Sequence, residues 1–154
     1  SSDVCSSDLA GVCAAVVAWL DRERLIDGGE TGSRLAMRDS FIAQLKEALP
    51  EIQIVSEAAP RLWNTVAVLM PPSADCRRRW VVQLDKLGIA VSTGSACSSG
   101  KEKPSHDLAA MGLESSGDRM LRISSGWETS EGDWRALLTR IMDVAMPRSR
   151  GNDD

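Results

Sequence analysis

The sequence has little of what several common chemistries require. It has one histidine, His106, and four cysteines, Cys5, Cys13, Cys76 and Cys97. No two of these cysteines stand at the C-x₂₋₄-C spacing of a zinc knuckle, so no metal site is expected. Its only locally basic run is Arg77-Arg78-Arg79, which a helical pattern spreads around a cylinder. With 18 Lys+Arg against 22 Asp+Glu the net charge is −4. Phosphate binding needs clustered cations, so no nucleic-acid partner is expected. The longest apolar run, Val12 to Leu20, is far short of the roughly 20 residues that span a bilayer, so no membrane association is expected. A basic leader and an early Ala-x-Ala site are also missing, which argues against a signal peptide. Without secretion, a disulfide framework is not expected at this length. These absences together predict reduced thiols and a cytoplasmic location.

What is present is ordinary for a globular protein. The 154 residues amount to about one domain, 43% hydrophobic and 26% charged. The opening Ser1 to Leu9 repeats Ser-Ser-Asp and shows no periodicity. It resembles translated sequencing-adapter read-through, so residues 1–9, Cys5 included, are set aside as an artefact or a disordered tail. From Ala10 to about Arg24, Val12, Ala15, Val16, Trp19 and Leu20 recur at helical spacing, and Asp27-Gly28-Gly29 breaks the run. A second helix is expected over Ser33–Leu49, with Leu35, Arg38, Ile42, Leu45 and Leu49 in its stripe, Phe41 alongside and Pro50 as the stop. Strands are expected at Ile52–Val55, Thr65–Met70, Ile89–Val91 and Met120–Ser124. Ser73 is expected to cap a helix carrying Cys76, Trp80, Val81, Leu84 and Leu87 on one face, closed by Gly88. A short helix from Pro104 to Met111 should end at Gly112. Thr129 or Ser130 should cap a last helix with Trp134, Leu137, Leu138, Ile141, Val144 and Ala145 on one stripe. This order predicts an α+β fold, helices packed on a small mixed sheet. The expected division is a linking helix over 10–32, a small domain over 33–147 and a disordered tail over 148–154.

Cys13 and Cys76 fall on apolar faces and are expected to be buried small hydrophobes. The tryptophans Trp19, Trp63, Trp80, Trp127 and Trp134 lack interleaved basic residues and read as core or interface. The scattered methionines, Met37, Met70, Met111, Met120, Met142 and Met146, read as core filler. Cys97 is different. It lies in Val91-Ser92-Thr93-Gly94-Ser95-Ala96-Cys97-Ser98-Ser99-Gly100, a Gly/Ser loop just past an expected strand, where a thiol is exposed and mobile. Lys101, Lys103 and His106 are near enough in sequence to lower its pKa. The loop alone reads rather as a linker with an incidental cysteine, and His106 as a cap or surface residue with no catalytic role assigned.

Three ordered motifs add to this reading. They are Ser-Thr-Gly-Ser-Ala-Cys-Ser-Ser-Gly at 92–100, Lys-Pro-Ser-His-Asp-Leu-Ala-Ala-Met-Gly-Leu at 103–113 and Leu-Arg-Ile-Ser-Ser-Gly-Trp-Glu-Thr-Ser-Glu-Gly-Asp at 121–133. Together they resemble the C-terminal part of cysteine desulfurases, the NifS-like relatives of class V aminotransferases. The resemblance runs from about Ala10 to Met146, and Arg61-Leu62-Trp63-Asn64-Thr65 is similar to the family's approach to its small domain. It implies the small C-terminal domain of a fold-type I pyridoxal-phosphate enzyme. Such an enzyme converts L-cysteine to L-alanine, is a homodimer when intact, and hands sulfur to an acceptor protein for iron–sulfur cluster, thio-cofactor or tRNA thiolation pathways. On this resemblance Cys97 matches the nucleophile that becomes a persulfide, and Arg122 matches the arginine that holds the substrate carboxylate. Without the motif, Arg122 reads as an ordinary strand arginine in a surface salt bridge.

The family's Schiff-base lysine is not matched. Between Ala10 and Cys97 the lysines are Lys46 and Lys86, both on amphipathic helices and without the family's lysine motif. The family's Gly-Thr motif should precede Ala10. The expectation is a truncated desulfurase that binds pyridoxal 5'-phosphate only as part of the intact enzyme and is inactive alone. Two other readings remain open: a cofactor-free sulfur carrier or thiol-redox module built on Cys97, and another class V enzyme such as a selenocysteine lyase. The Gly-Ser-Ala-Cys-Ser loop favours the desulfurase over the lyase, and a lysine motif upstream would separate the enzyme from the carrier.

Overall fold

The structure, a computed structural model, describes residues 9–73, 76–93 and 106–146, with the backbone alone for 76–78 and 106. The expectations for the segments 1–8 and 147–154, for the Gly94–Gly100 loop with Cys97, and for Lys101 and Lys103 lie outside the described residues. So do those for the side chains of Cys76 and His106. The elements run α1 (Leu9–Asp27), α2 (Glu30–Ala48), β1 (Gln53–Ile54), β2 (Thr65–Leu69), α3 (Cys76–Lys86), α4 (His106–Ala110), a 3₁₀ turn (Glu114–Arg119), β3 (Met120–Ser124) and α5 (Glu131–Ala145).

The described strands form one antiparallel sheet in the order β1-β2-β3. Alternation along each strand sends successive side chains to opposite faces. Val66 and Val68 of β2 and Leu121 and Ile123 of β3 are buried, and they join Phe41, Ile42 and Leu45 of α2, Leu84 of α3 and Ile141 of α5 in a single core. Phe41 and Trp134 close its edge with ring centroids 4.8 Å apart. The other face carries Thr65 and Ala67 opposite Ser124 and Arg122, and these are less buried. That uncovered face positions the site.

The helix ends follow from local chemistry. α5 begins with a capping box: Ser130 Oγ accepts from the Asp133 amide, and the Asp133 side chain accepts from the Ser130 amide. α3 and α4 both close in Schellman turns on a left-handed glycine. Gly88 has φ 78° and Gly112 φ 69°; the Ile89 amide donates to the Leu84 carbonyl at 2.9 Å, and the Leu113 amide to Leu108 at 2.7 Å.

Several expectations change. The described sheet is antiparallel rather than mixed, and Ile89–Val91 forms no strand. The Ile89 amide is already used in capping α3, and Ile89 and Val91 pack their side chains on the core instead. α2 starts at Glu30, not Ser33, because left-handed Gly29 (φ 79°) completes the turn from α1 at once. The expected Ser73 cap rests partly on residues 74–75, which lie outside the described residues; among those described, its buried hydroxyl has no hydrogen-bond partner. Leu87 is exposed at the end of α3 while Trp80 and Leu84 are buried. The apolar stripe of α1 is not core, since none of its residues is buried; Trp19 is 61% exposed and Cys13 is exposed too. α1 is apolar around much of its circumference, so its helical spacing does not select a buried face. Met111 and Met146 are likewise exposed, at the margins of the core, whereas Met70 is fully buried. No helix of the described residues is long and apolar enough to cross a membrane.

Candidate functional site: an arginine cleft on the uncovered sheet face

Arg122 sits in the middle of β3, opposite Ala67 of β2. Its other side is strapped to the segment that leads into the cysteine loop. The Arg122 amide donates to the Ser92 carbonyl at 2.6 Å, and the Ser92 amide returns a bond to Arg122 at 3.1 Å. The side chains repeat the link, with Arg122 Nε donating to Ser92 Oγ at 3.1 Å. One edge of the guanidinium is thereby oriented. Among the described residues Arg122 forms no ion pair, and no further hydrogen bond of its side chain is seen. The salt-bridge expectation for a surface strand arginine therefore does not apply among the described residues.

Arg122 lines a cleft of about 390 Å³ with Thr65 and Ala67 of β2, Met120 of β3, Leu108 of α4 and the segment that carries Arg61 and Leu62. A cleft of this size with mostly apolar walls and few charges has the proportions of a small-molecule site. Asp107 is the carboxylate on its rim. Ser56, also on the wall, takes a left-handed conformation with φ 56°. No group of three potential metal ligands occurs among the described residues.

The 61–64 wall is held from beneath. Arg38 of α2, only 5% exposed, donates from Nη1 to the carbonyls of Arg61 (3.2 Å) and Leu62 (2.6 Å). Its Nε and Nη2 both donate to Asp39 Oδ1. Further along, Trp63 packs on Trp127 with centroids 4.3 Å apart, and the Asn64 carbonyl accepts from the Ser125 amide at 2.9 Å. Sequence reasoning placed Arg38 in the α2 stripe without giving it a role. A lone charge in an otherwise apolar stripe was the available signal. Arg61 was visible only as part of the Arg61–Thr65 motif.

No family model matches the chain. A cysteine desulfurase of Cereibacter sphaeroides is 30% identical over 122 residues, covering 78% of this chain and 30% of its own length. Another, of Gluconacetobacter diazotrophicus, is 32% identical over 130 residues, covering 84% and 30%. The chain is a relative of the cysteine desulfurases. It spans about 30% of the length of these curated relatives. A NifS-like protein from Rickettsia africae shares its fold, with a TM-score of 0.62 and 24% identity over 75% of this chain and 29% of that one. The desulfurase resemblance and the α+β fold expected from it agree with these comparisons of sequence and of structure.

Cysteine desulfurases as a family imply pyridoxal phosphate, and the described residues do not build its site. Lys46 is ion-paired with Glu57 at 2.8 Å, and neither Lys46 nor Lys86 lines the Arg122 cleft. The cleft as described offers guanidinium groups for an anion and no amine to hold an aldehyde.

Proposed function

We propose that the chain is the part of a cysteine desulfurase that anchors the carboxylate of L-cysteine on Arg122 and accepts its sulfur on Cys97. The observation that carries this reading is the state of Arg122. Its Nε donates to Ser92, Arg122 lines the cleft, and its terminal amino groups have no partner among the described residues. A planar fork oriented in this way suits two-point recognition of a carboxylate. The strap on Ser92 supports the role of Cys97. Cys97 is the fifth residue after Ser92, so chain connectivity keeps its Cα within about 18 Å of the Ser92 Cα, an anchor beside the proposed carboxylate site.

In the reaction the substrate's Cβ–S bond breaks and a new S–S bond forms on Cys97. L-cysteine and the Cys97 thiol give L-alanine and the Cys97 persulfide, with atoms and electrons balanced and no outside oxidant. A thiolate is the competent form of the acceptor. The persulfide is then passed to an acceptor protein serving iron–sulfur cluster assembly or thiolation. The cofactor-binding lysine belongs to sequence outside the described residues, the intact enzyme is a cytoplasmic homodimer, and the chain by itself is inactive.

Two substitutions in the intact enzyme test the assignments. Cys97→Ser should abolish sulfur transfer and leave cysteine binding intact, because a hydroxyl cannot hold a persulfide. Arg122→Ala should weaken cysteine binding at least tenfold, the cost of a lost charge-assisted contact. Alanine and sulfide formation would be measured across cysteine concentrations. Normal sulfide release by Cys97→Ser without added thiol would remove the nucleophile, and unchanged saturation in Arg122→Ala would remove the anchor.

A further inference from the structure

The cleft has a second guanidinium whose state the fold does not explain. Arg61 Nη1 is shielded from solvent and has no hydrogen-bond partner among the described residues, and Arg61 lines the same cleft as Arg122. Arg61 as a residue is half-buried, but a solvent-shielded donor nitrogen without an acceptor costs free energy, and each one asks for a reason. Here the backbone around it is built to stay in place. Arg38 clamps the carbonyls of Arg61 and Leu62, and Trp63 packs against Trp127 with the rings tilted. The backbone that carries the guanidinium is thus held in place, while the guanidinium itself is not used among the described residues. The wall of the cleft that Arg61 lines also carries Val55 and Leu108, and beside apolar walls a charge–charge contact is stronger than in water. The carboxylate on the rim, Asp107, makes no ion pair with it among the described residues.

We propose that Arg61 is a further substrate-recognition residue, a second guanidinium that donates to the carboxylate of a small amino-acid ligand entering the Arg122 cleft. The inference rests on the cleft being the carboxylate site proposed above. It accounts for the missing acceptor: the ligand supplies it. It also predicts opposite effects on binding and on folding. Removing a guanidinium that serves the fold lowers stability, whereas removing one that waits for a ligand leaves stability unchanged or raises it and costs binding alone.

The test uses the full 154-residue chain and two probes, L-alanine and L-alaninamide, which lacks the carboxylate. Binding is followed by NMR titration of backbone amides, and stability by urea unfolding, for the wild type, Arg61→Met and Arg122→Met. The expected result is that the wild type prefers L-alanine to the amide, and that Arg61→Met loses at least tenfold in L-alanine affinity. Its urea midpoint should be no lower than that of the wild type. Wild-type affinity in Arg61→Met together with loss in Arg122→Met would overturn the inference and leave the Arg122 assignment standing. Retained affinity in Arg122→Met would instead overturn the carboxylate-anchor reading itself. A lowered midpoint or failure to fold in Arg61→Met would assign Arg61 to the fold and overturn the inference, as would equal binding of the two probes by the wild type.

Discussion

Replacing Arg38 by methionine tests whether the cleft wall is held from beneath. The substitution keeps a long unbranched stem in the buried stripe of α2 and removes the guanidinium. Two carbonyls, of Arg61 and Leu62, then lose their donor. Hydrogen bonds from a charged group contribute about 1.5–3 kcal/mol each. The full sum is not expected, because Leu62 is 69% exposed and a loosened segment can take water. The variant also regains the desolvation cost of a guanidinium that is 7% exposed. The ion pair adds little, since the Asp39 side chain is 57% exposed and returns to solvent. The net destabilisation is expected at about 2 kcal/mol, well above the ±0.5 kcal/mol of an ordinary surface change. With a urea slope of about 1–3 kcal/mol/M, the midpoint should fall by about 1 M with the slope unchanged. Hydrogen exchange should rise across 61–64 before the rest of the sheet opens. Arg38→Lys should recover only part of the loss, because an ammonium lacks the planar fork that reaches both carbonyls and Asp39. A midpoint for Arg38→Met within about 0.2 M of the wild type would refute the reasoning.

Leu84→Ala should cost about 2–5 kcal/mol in thermal or urea unfolding, because Leu84 is fully buried between α3 and the sheet core; a loss below 1 kcal/mol would mean that this part of the core collapses around the gap. Ser130→Ala should cost about 1 kcal/mol through loss of the α5 cap. The same box makes a pH prediction: hydrogen bonds from the Ser130 amide and hydroxyl hold the Asp133 carboxyl below its ordinary value. Its contribution is therefore complete above the unfolded value of about 3.9 and is lost as pH falls through the lower folded value. Asp133→Asn should be less stable than the wild type at pH 7, with the gap closing in acid; a gap independent of pH would contradict it.

The elements read correctly from sequence are those whose causes lie within one or two turns of chain. The stripe of α5, its Ser130 cap, the span of β3 and the glycine stops at 88 and 112 depend on near neighbours, and the structure reproduces them. The motifs around 92–100, 103–113 and 121–133 pointed to the cysteine desulfurases, in agreement with the curated relatives, because three patterns in order carry more information than any one loop. Burial and pairing followed less well. α1 is a helix as its spacing requires, yet whether its apolar face is covered depends on surfaces far away in sequence. Ile89–Val91 has the composition of a strand, but a strand needs free amides and an available edge, and capping α3 uses the first of its amides. The site divides along the same line. Arg122 could be named from its motif, whereas its strap to Ser92 and the absence of an ion pair among the described residues are properties of the fold. Arg38 and Arg61 show the limit most clearly. They lie 23 residues apart, and no local preference links them. Only the packing of α2 beneath the 61–64 segment makes one a clamp and leaves Nη1 of the other without an acceptor among the described residues. Helical and turn preferences act between neighbours along the chain, while clefts form where distant segments meet.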